Sequence, residues 1–480
     1  MVRGIPSAGH GADGPRAVLT AVRRTASLGG MAKDDRLGQH LTALTTSVRG
    51  LDPVFSCGGT VTLPEPVELR FEGQKPLRVS VDDYRDAARV VRRLKKACAP
   101  APFGAGGETR RDPRVRDGGQ LLADGGALSV AGLDLVDAGV LEEIRRVLCP
   151  GSEELPDAEL HALNVYTPRG HFVRHKDTPR DRACFGTLVV CLPITFQGGR
   201  LVLHEDSSRI YDWESRGSSR WGRGEEPYEL KWAAFYGDVD HEIEPVTSGT
   251  RVTLTWLLRA AKDERVTPPP PSATEADLEA ALREAVADAK FLARGGTLGV
   301  PCTHLYAETE GAIDPADAMG ETSASRLKGR DRSVAFAAMR AGLGVRYRPY
   351  LHEDCAFEAW RLSRPPTERE ARIFSRARLG YSKLSETLPI EHEIGGYDGK
   401  DDVTWIVPTA FGSSEERRSS KDSVPATELL GELEYSATDY FGNEGSHLAF
   451  YVSAALLIEV PSARDRGASR PKRSGRSVSS

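Results

Sequence analysis

The chain has 480 residues, a formal net charge of -5 and a pI near 6.2, so its overall electrostatics draw it neither to nucleic acid nor to an anionic membrane. Single cores stop growing near about 250–300 residues, and two or three domains are expected. Seven cysteines lie scattered, odd in number and without a CxxC pair, which argues against a disulfide framework or zinc knuckle and for a reducing compartment.

Residues 1–50 are rich in Gly, Ala and Arg without sustained periodicity and are expected to be a disordered tail. Arg3, Arg16, Arg23 and Arg24 stand against Asp13 alone in the first thirty residues. An organelle transit peptide is the rival reading there, with Met31 as a second start, and no apolar stretch suits a secretory signal. Residues 51–157 are expected to form an α/β flank packed on the segment that follows. In it Ala87, Val90, Val91, Leu94 and Cys98 recur at helical spacing opposite Arg92, Arg93, Lys95 and Lys96. A second helix is predicted over 136–148, with Leu141, Ile144 and Leu148 on one side and Pro150-Gly151 as its stop.

From 158 to 262 the pattern changes to short strands at 160–166, 187–192, 200–204, 230–236, 241–246 and 251–258. Closely spaced strands with Gly and Pro between them predict an antiparallel barrel or jelly roll of the cupin kind. The polar insertion over 205–229 carries Tyr211, Trp213, Trp221 and Tyr228 and is long for a compact domain. Its aromatics either grip a peptide or flat ligand or anchor the loop on the barrel.

A Pro-rich linker is expected over 263–272, ending in a capping box from Ser272 to Glu275 that opens a helix running to Leu292 and stopped by Gly295-Gly296. Residues 273–460 are expected to form a C-terminal α/β domain of open role, with strands at 345–351 and 448–460. The latter stretch is too short and interrupted to span a bilayer. Residues 461–480 read as a disordered basic tail in which Arg470, Lys472, Arg473 and Arg476 serve as a nuclear signal or as solubilising charge. The expected location is intracellular, cytoplasmic or nuclear. The expected fold class is α+β: a double-stranded β-helix barrel with flanking helices and a mixed C-terminal region.

Chemistry concentrates in the barrel segment. His175 and Asp177 are two residues apart on an extended chain, so their side chains point the same way. His241 follows Asp177 by sixty-four residues and Arg251 follows His241 by ten. Two imidazoles and one carboxylate form a facial triad that fills half of an octahedral ferrous ion and leaves adjacent sites open. An α-keto acid chelates two of those sites and dioxygen takes the third. The far carboxylate of 2-oxoglutarate then needs a buried cationic partner, and a guanidinium offers a permanently charged, bidentate one. Along Arg251-Val-Thr-Leu-Thr-Trp256, alternation puts Arg251, Thr253 and Thr255 on one face and Val252, Leu254 and Trp256 on the other. An HxD alone occurs by chance in a chain this long; the joint spacing with His241 and Arg251 is what points to a metal.

These residues sit in runs that resemble the Fe(II)/2-oxoglutarate dioxygenases, and in particular their prolyl 4-hydroxylase-like branch. The runs are Tyr166-Thr-Pro-Arg-Gly170-His-Phe172-Val-Arg-His175-Lys-Asp177, Gly186-Thr-Leu-Val-Val-Cys-Leu-Pro193, Gly198-Gly-Arg-Leu201, Trp232-Ala-Ala-Phe-Tyr236 and His241-Glu-Ile-Glu-Pro245-Val-Thr-Ser-Gly249-Thr-Arg251. Fainter likeness at Pro102-Phe103-Gly104 to Glu108-Thr109 and at Tyr440-Phe441-Gly442-Asn443-Glu444-Gly445 is similar to large members of the group from fungi, algae and bacteria. The resemblance implies Fe(II), 2-oxoglutarate and O2, with ascorbate as an accessory reductant. It implies that Tyr166, nine residues before His175, hydrogen-bonds the 2-oxoglutarate. Arg251 stands where the animal prolyl 4-hydroxylases have Lys. Asp177 favours hydroxylation, since halogenases of the superfamily carry a small residue in place of that carboxylate. A prolyl or other side chain of a protein is the substrate class implied, with a small molecule as the alternative. A non-catalytic scaffold that senses 2-oxoglutarate is the reading from outside enzymes. For Arg251 a structural salt bridge, and for Tyr166 a place in the core, are the plain alternatives.

His204-Glu205-Asp206 and His352-Glu353-Asp354 look like ligand clusters, but consecutive strand residues face opposite ways, and exposed charge is the default. His171 is placed near the cavity, and His392 has no partner spacing.

Overall fold

The computed structural model describes residues 36–79, 84–105, 108–205, 207–214, 228–261, 266–309, 326–350, 403–406 and 449–468. The expectations placed on residues 1–35, Trp221, His352, Glu353, Asp354, His392 and 440–445 lie outside them.

The fold is mixed α/β with many antiparallel strands. Its largest sheet has seven strands in the order Ser56–Leu63, Tyr228–Tyr236, Cys184–Cys191, Arg251–Arg259, Asp157–Tyr166, Gly119–Leu122 and Ala99–Pro100. A second sheet has five, in the order Ser208–Tyr211, Leu201–His204, Asp240–Ile243, His171–His175 and Arg116–Asp117. Every pairing in both is antiparallel. From 157 to 259 the chain passes back and forth between the two sheets, and a cavity lies between them, lined from both. Cys184–Cys191 is central, with all but its first residue buried. Arg251–Arg259 shows the alternation read from its sequence: Arg251, Thr253 and Thr255 line the cavity, while Val252, Leu254 and Trp256 join the apolar core behind.

That core takes in much of the 51–157 segment. The helix Tyr84–Ala97 contributes Val90 and Leu94, and the helix Val140–Leu148 contributes Ile144 and Leu148. The second helix starts four residues later than expected. Asp134 Oδ1 accepts hydrogen bonds from the backbone N–H of Val136 and Asp137, and Gly139 has φ 71°, so turns occupy 136–139. The single strand expected at 241–246 is divided at Pro245: Asp240–Ile243 belongs to the five-stranded sheet, while Val246–Gly249 pairs with Phe196–Gly198. Proline brings no N–H to continue a ladder.

A second apolar core is built by the helices Ala273–Ala287 and Gly329–Arg340 and a sheet around the long strand Ala449–Val460, which pairs with Gly296–Pro301, Tyr306–Thr309 and Gly344–Tyr350. Of the 1–50 stretch expected to be a disordered tail, the described part, 36–50, is corrected here. Arg36–Arg49 is a helix whose Leu44 and Val48 are buried in this second core. The 461–480 tail is also ordered in part, with Ala463–Ala468 helical and Arg466 donating to the carbonyls of Val286 and Phe291. The linker is packed rather than free: Val266 bridges to Ser152, and Arg340 donates to the Pro269 carbonyl. Ser272 caps its helix as the sequence predicts, accepting from the Glu275 N–H. The helix stops at Ala287 instead of Leu292, because Asp288 turns the chain by accepting from the Lys290 N–H and is held by His40 of the Arg36–Arg49 helix.

Candidate functional site

The structure brings His175, Asp177 and His241 together. Their donor atoms lie within 4.8 Å of one another, and they are the group of that kind found among the described residues. The antiparallel register sets His175 directly opposite His241, so the partner strand delivers the second imidazole. Their rings are 4.2 Å apart between centroids. His175 stacks on Phe172 at 3.6 Å, and His241 tilts against Phe235 at 4.7 Å.

The surroundings aim each donor. Nδ1 of His175 donates to the Val173 carbonyl at 2.8 Å, and Nδ1 of His241 to the Val239 carbonyl at 2.9 Å. A carbonyl only accepts, so the proton of each neutral ring sits on Nδ1 and the Nε2 lone pair is free to bind a metal. Asp177 is steered at three points. Its Oδ2 accepts from the Thr187 hydroxyl, its N–H donates to the Gly237 carbonyl at 2.9 Å, and its own carbonyl accepts from Tyr451 at 3.0 Å. Its Oδ1 lies 3.5 Å from Nε2 of His241. Burial disfavours the charge of Asp177, but the two imidazoles and the Thr187 hydroxyl outweigh it and hold the carboxyl well below its usual range. Burial, aided by the charge of His241, pushes His175 down. Burial also disfavours the charged His241, yet the Asp177 carboxylate prevails and raises it. Asp177 is therefore ionised and His175 neutral, which are the states metal binding requires.

Arg251 is 1% exposed, and its Nε and Nη2 have no hydrogen-bond partner. Its neighbours are aromatic: the guanidinium carbon is 5.9 Å from the Tyr166 ring and 5.5 Å from that of Trp213. Burial lowers its pKa. Among the described residues no carboxylate meets it, which counts against a structural salt bridge. Tyr166 pairs in register with Arg251 and lines the same cavity. Gly199, at φ 63°, allows the approach, since a Cβ there would sit 3.0 Å from Arg251 Cδ. A buried, unpaired cation facing a cavity suits an anionic ligand.

The other candidates separate. His171 is tied to the carbonyls of Arg169 and Arg114 and does not line the cavity, contrary to the expectation for it. His204 meets Glu242 at 3.0 Å in a surface pair. In the insertion, Tyr211 donates to Ser56 and Trp213 is buried against Arg251, so these two aromatics anchor the segment. Sequence reasoning missed Arg116, Gln120, Asn164 and Thr187, all of which line the cavity. Asn164 and Thr187 carried a signal, since Asn164 shares the face of Tyr166 by alternation and Thr187 opens a strand already marked out.

No family model and no curated sequence matches the chain. Among solved structures it is similar to a prolyl-4-hydroxylase of Pseudomonas putida, 19% identical with a TM-score of 0.26 over 45% of this chain and 98% of that one. It is similar to an oxidoreductase of the 2OG-Fe(II) oxygenase family from Burkholderia pseudomallei, 16% identical with a TM-score of 0.24 over 49% and 96%. A prolyl hydroxylase of Trichoplax adhaerens, in complex with a hypoxia inducible factor peptide fragment, is 13% identical with a TM-score of 0.26 over 47% and 94%. These neighbours are oxygenases. At such scores the case for this chain rests on the geometry of its own site.

Proposed function

We propose that the protein is an Fe(II)- and 2-oxoglutarate-dependent dioxygenase that hydroxylates a C–H bond, with succinate and CO2 as co-products. The observation that carries this reading is the buried, unpartnered Arg251 facing the same cavity as the His175, Asp177 and His241 cluster. A metal site alone would serve many reactions. A metal site that shares its cavity with a buried guanidinium suits a ligand with a chelating end and an anionic far end, and 2-oxoglutarate has both.

In this reading His175, Asp177 and His241 hold iron, Arg251 takes the far carboxylate and Tyr166 hydrogen-bonds it. Fe(II), once bound, couples the oxidative decarboxylation of 2-oxoglutarate to oxygen insertion. The protein's own groups fix orientation: Thr187 holds one Asp177 oxygen, the Val173 and Val239 carbonyls fix the imidazoles, and the apolar wall of Phe172, Leu201, Phe235 and Ile243 limits water. The passage of 157–259 between the two sheets supports a double-stranded β-helix, with 51–157 as its flank and 273–460 as a second domain. The substrate class favoured by the resemblance of its motifs to prolyl hydroxylases is a prolyl or other protein side chain, and a small molecule is the alternative. Residual turnover tests the reading against a non-catalytic sensor. Fe(II), 2-oxoglutarate and air are expected to give protein-dependent succinate even without the substrate, and 2-oxoglutarate binding without any succinate supports the sensor instead.

A further inference from the structure

Arg116 is a second buried guanidinium in the cavity, 7% exposed. Its Nη1 donates to the Pro102 carbonyl at 2.8 Å and its Nη2 to Asn164 Oδ1 at 3.0 Å, while its Nε has no partner. All of these partners are neutral. A charge withdrawn from water with only neutral acceptors and an aromatic face is poorly compensated, which invites an anion.

The place of Arg116 separates it from the proposed 2-oxoglutarate site. Arg251 pairs with Tyr166, whereas Arg116 stands on the other sheet and bonds Asn164, two residues along the same strand as Tyr166. The Asn164 amide is locked, accepting from Gln120 as well as Arg116 and donating to Thr255, so it presents Arg116 in one orientation. The guanidinium lies 4.5 Å from the Phe172 ring, which stacks on His175. The second cation therefore stands one ring away from a proposed iron ligand. If Arg251 and the metal take the two carboxylates of 2-oxoglutarate, Arg116 is left to a third anionic group.

We propose that Arg116 is a substrate-recognition residue whose guanidinium receives an oxyanion, a carboxylate or phosphate, carried by the molecule to be hydroxylated. This rests on the proposed role of Arg251. Crystals of the full chain loaded with Mn(II) in place of Fe(II) and with 2-oxoglutarate, then soaked in selenate, test it by the anomalous signal of selenium. Selenate is expected in contact with Arg116 while 2-oxoglutarate occupies Arg251, and Arg116→Gln is expected to lose the selenate and keep the 2-oxoglutarate. The wild-type soak decides alone if the variant does not fold. Ordered 2-oxoglutarate at Arg251 with no selenate at Arg116, selenate that persists in Arg116→Gln, or a carboxylate of 2-oxoglutarate itself on Arg116 would overturn the subsite and leave the proposed function standing. Metal-loaded crystals with no 2-oxoglutarate at Arg251 would overturn both.

Discussion

Arg251 is buried with its Nε and Nη2 unpartnered, so in its proposed role replacing it has two opposed effects. Arg251→Met is expected to melt at a higher temperature than the wild type when no 2-oxoglutarate is present, because an apolar side chain of similar length takes the place of an unpaired buried charge. The same variant is expected to need roughly 10- to 100-fold more 2-oxoglutarate for half-maximal succinate formation, the worth of a charge-assisted hydrogen bond of about 1.5–3 kcal/mol, with iron binding retained. Thermal scans without 2-oxoglutarate check the first half, and succinate assays over a 2-oxoglutarate series check the second. Arg251 and the three ligand candidates were legible because strand alternation and spacing converge on them. Arg116 was not, for a physical reason: its strand, Arg116–Asp117, is two residues long and shows no period, and its place in the cavity is set by pairing with His171 and Phe172.

At the scale of elements, the turn before Arg251 is the most exacting. Gly249 has φ 75°, and a Cβ on it would lie 2.2 Å from the Thr195 carbonyl oxygen. Gly249→Ala is expected to destabilise the protein by about 1–3 kcal/mol from the left-handed backbone alone, with the clash adding to it. Urea unfolding measures this, and an unchanged midpoint would show that the turn adopts another form. Alternating strands such as Arg251–Arg259 were readable because burial on two unlike faces writes a period of two into the sequence. Element ends were less readable. Asp288 stops its helix through a turn fixed by His40, 248 residues away in the chain. The Arg36–Arg49 helix was missed although Leu37, Leu41, Leu44 and Val48 recur at helical spacing, because that short stripe follows a Gly-, Ala- and Arg-rich stretch with no period of its own.

At the scale of the molecule, the two cores meet in a buried ionic cluster. Asp238, three residues before His241, bonds Lys328 at 2.7 Å and His304 at 2.9 Å, and Tyr451 on the strand Ala449–Val460 donates to the Asp177 carbonyl. No local pattern in the sequence joins groups so far apart, and the role of the C-terminal residues was accordingly open. Lys328→Met leaves Asp238 buried without its main partner and is expected to cost about 3–5 kcal/mol in urea unfolding. Burial disfavours the His304 charge, but the Asp238 carboxylate prevails and raises its pKa to about 8. A histidine raised above its unfolded value of about 6.5 stabilises fully below that pH and loses the contribution as pH rises through 8. Stability is thus expected to fall by on the order of 1 kcal/mol between pH 6.5 and 8, and His304→Gln is expected to flatten that slope. Iron binding by His175 and His241, in the cavity that Arg251 shares, is tested most directly by anaerobic titration of Fe(II) and 2-oxoglutarate followed by visible absorption. The wild type is expected to show a weak charge-transfer band, absent from His175→Ala and His241→Ala; iron binding retained by both variants would contradict the assignment.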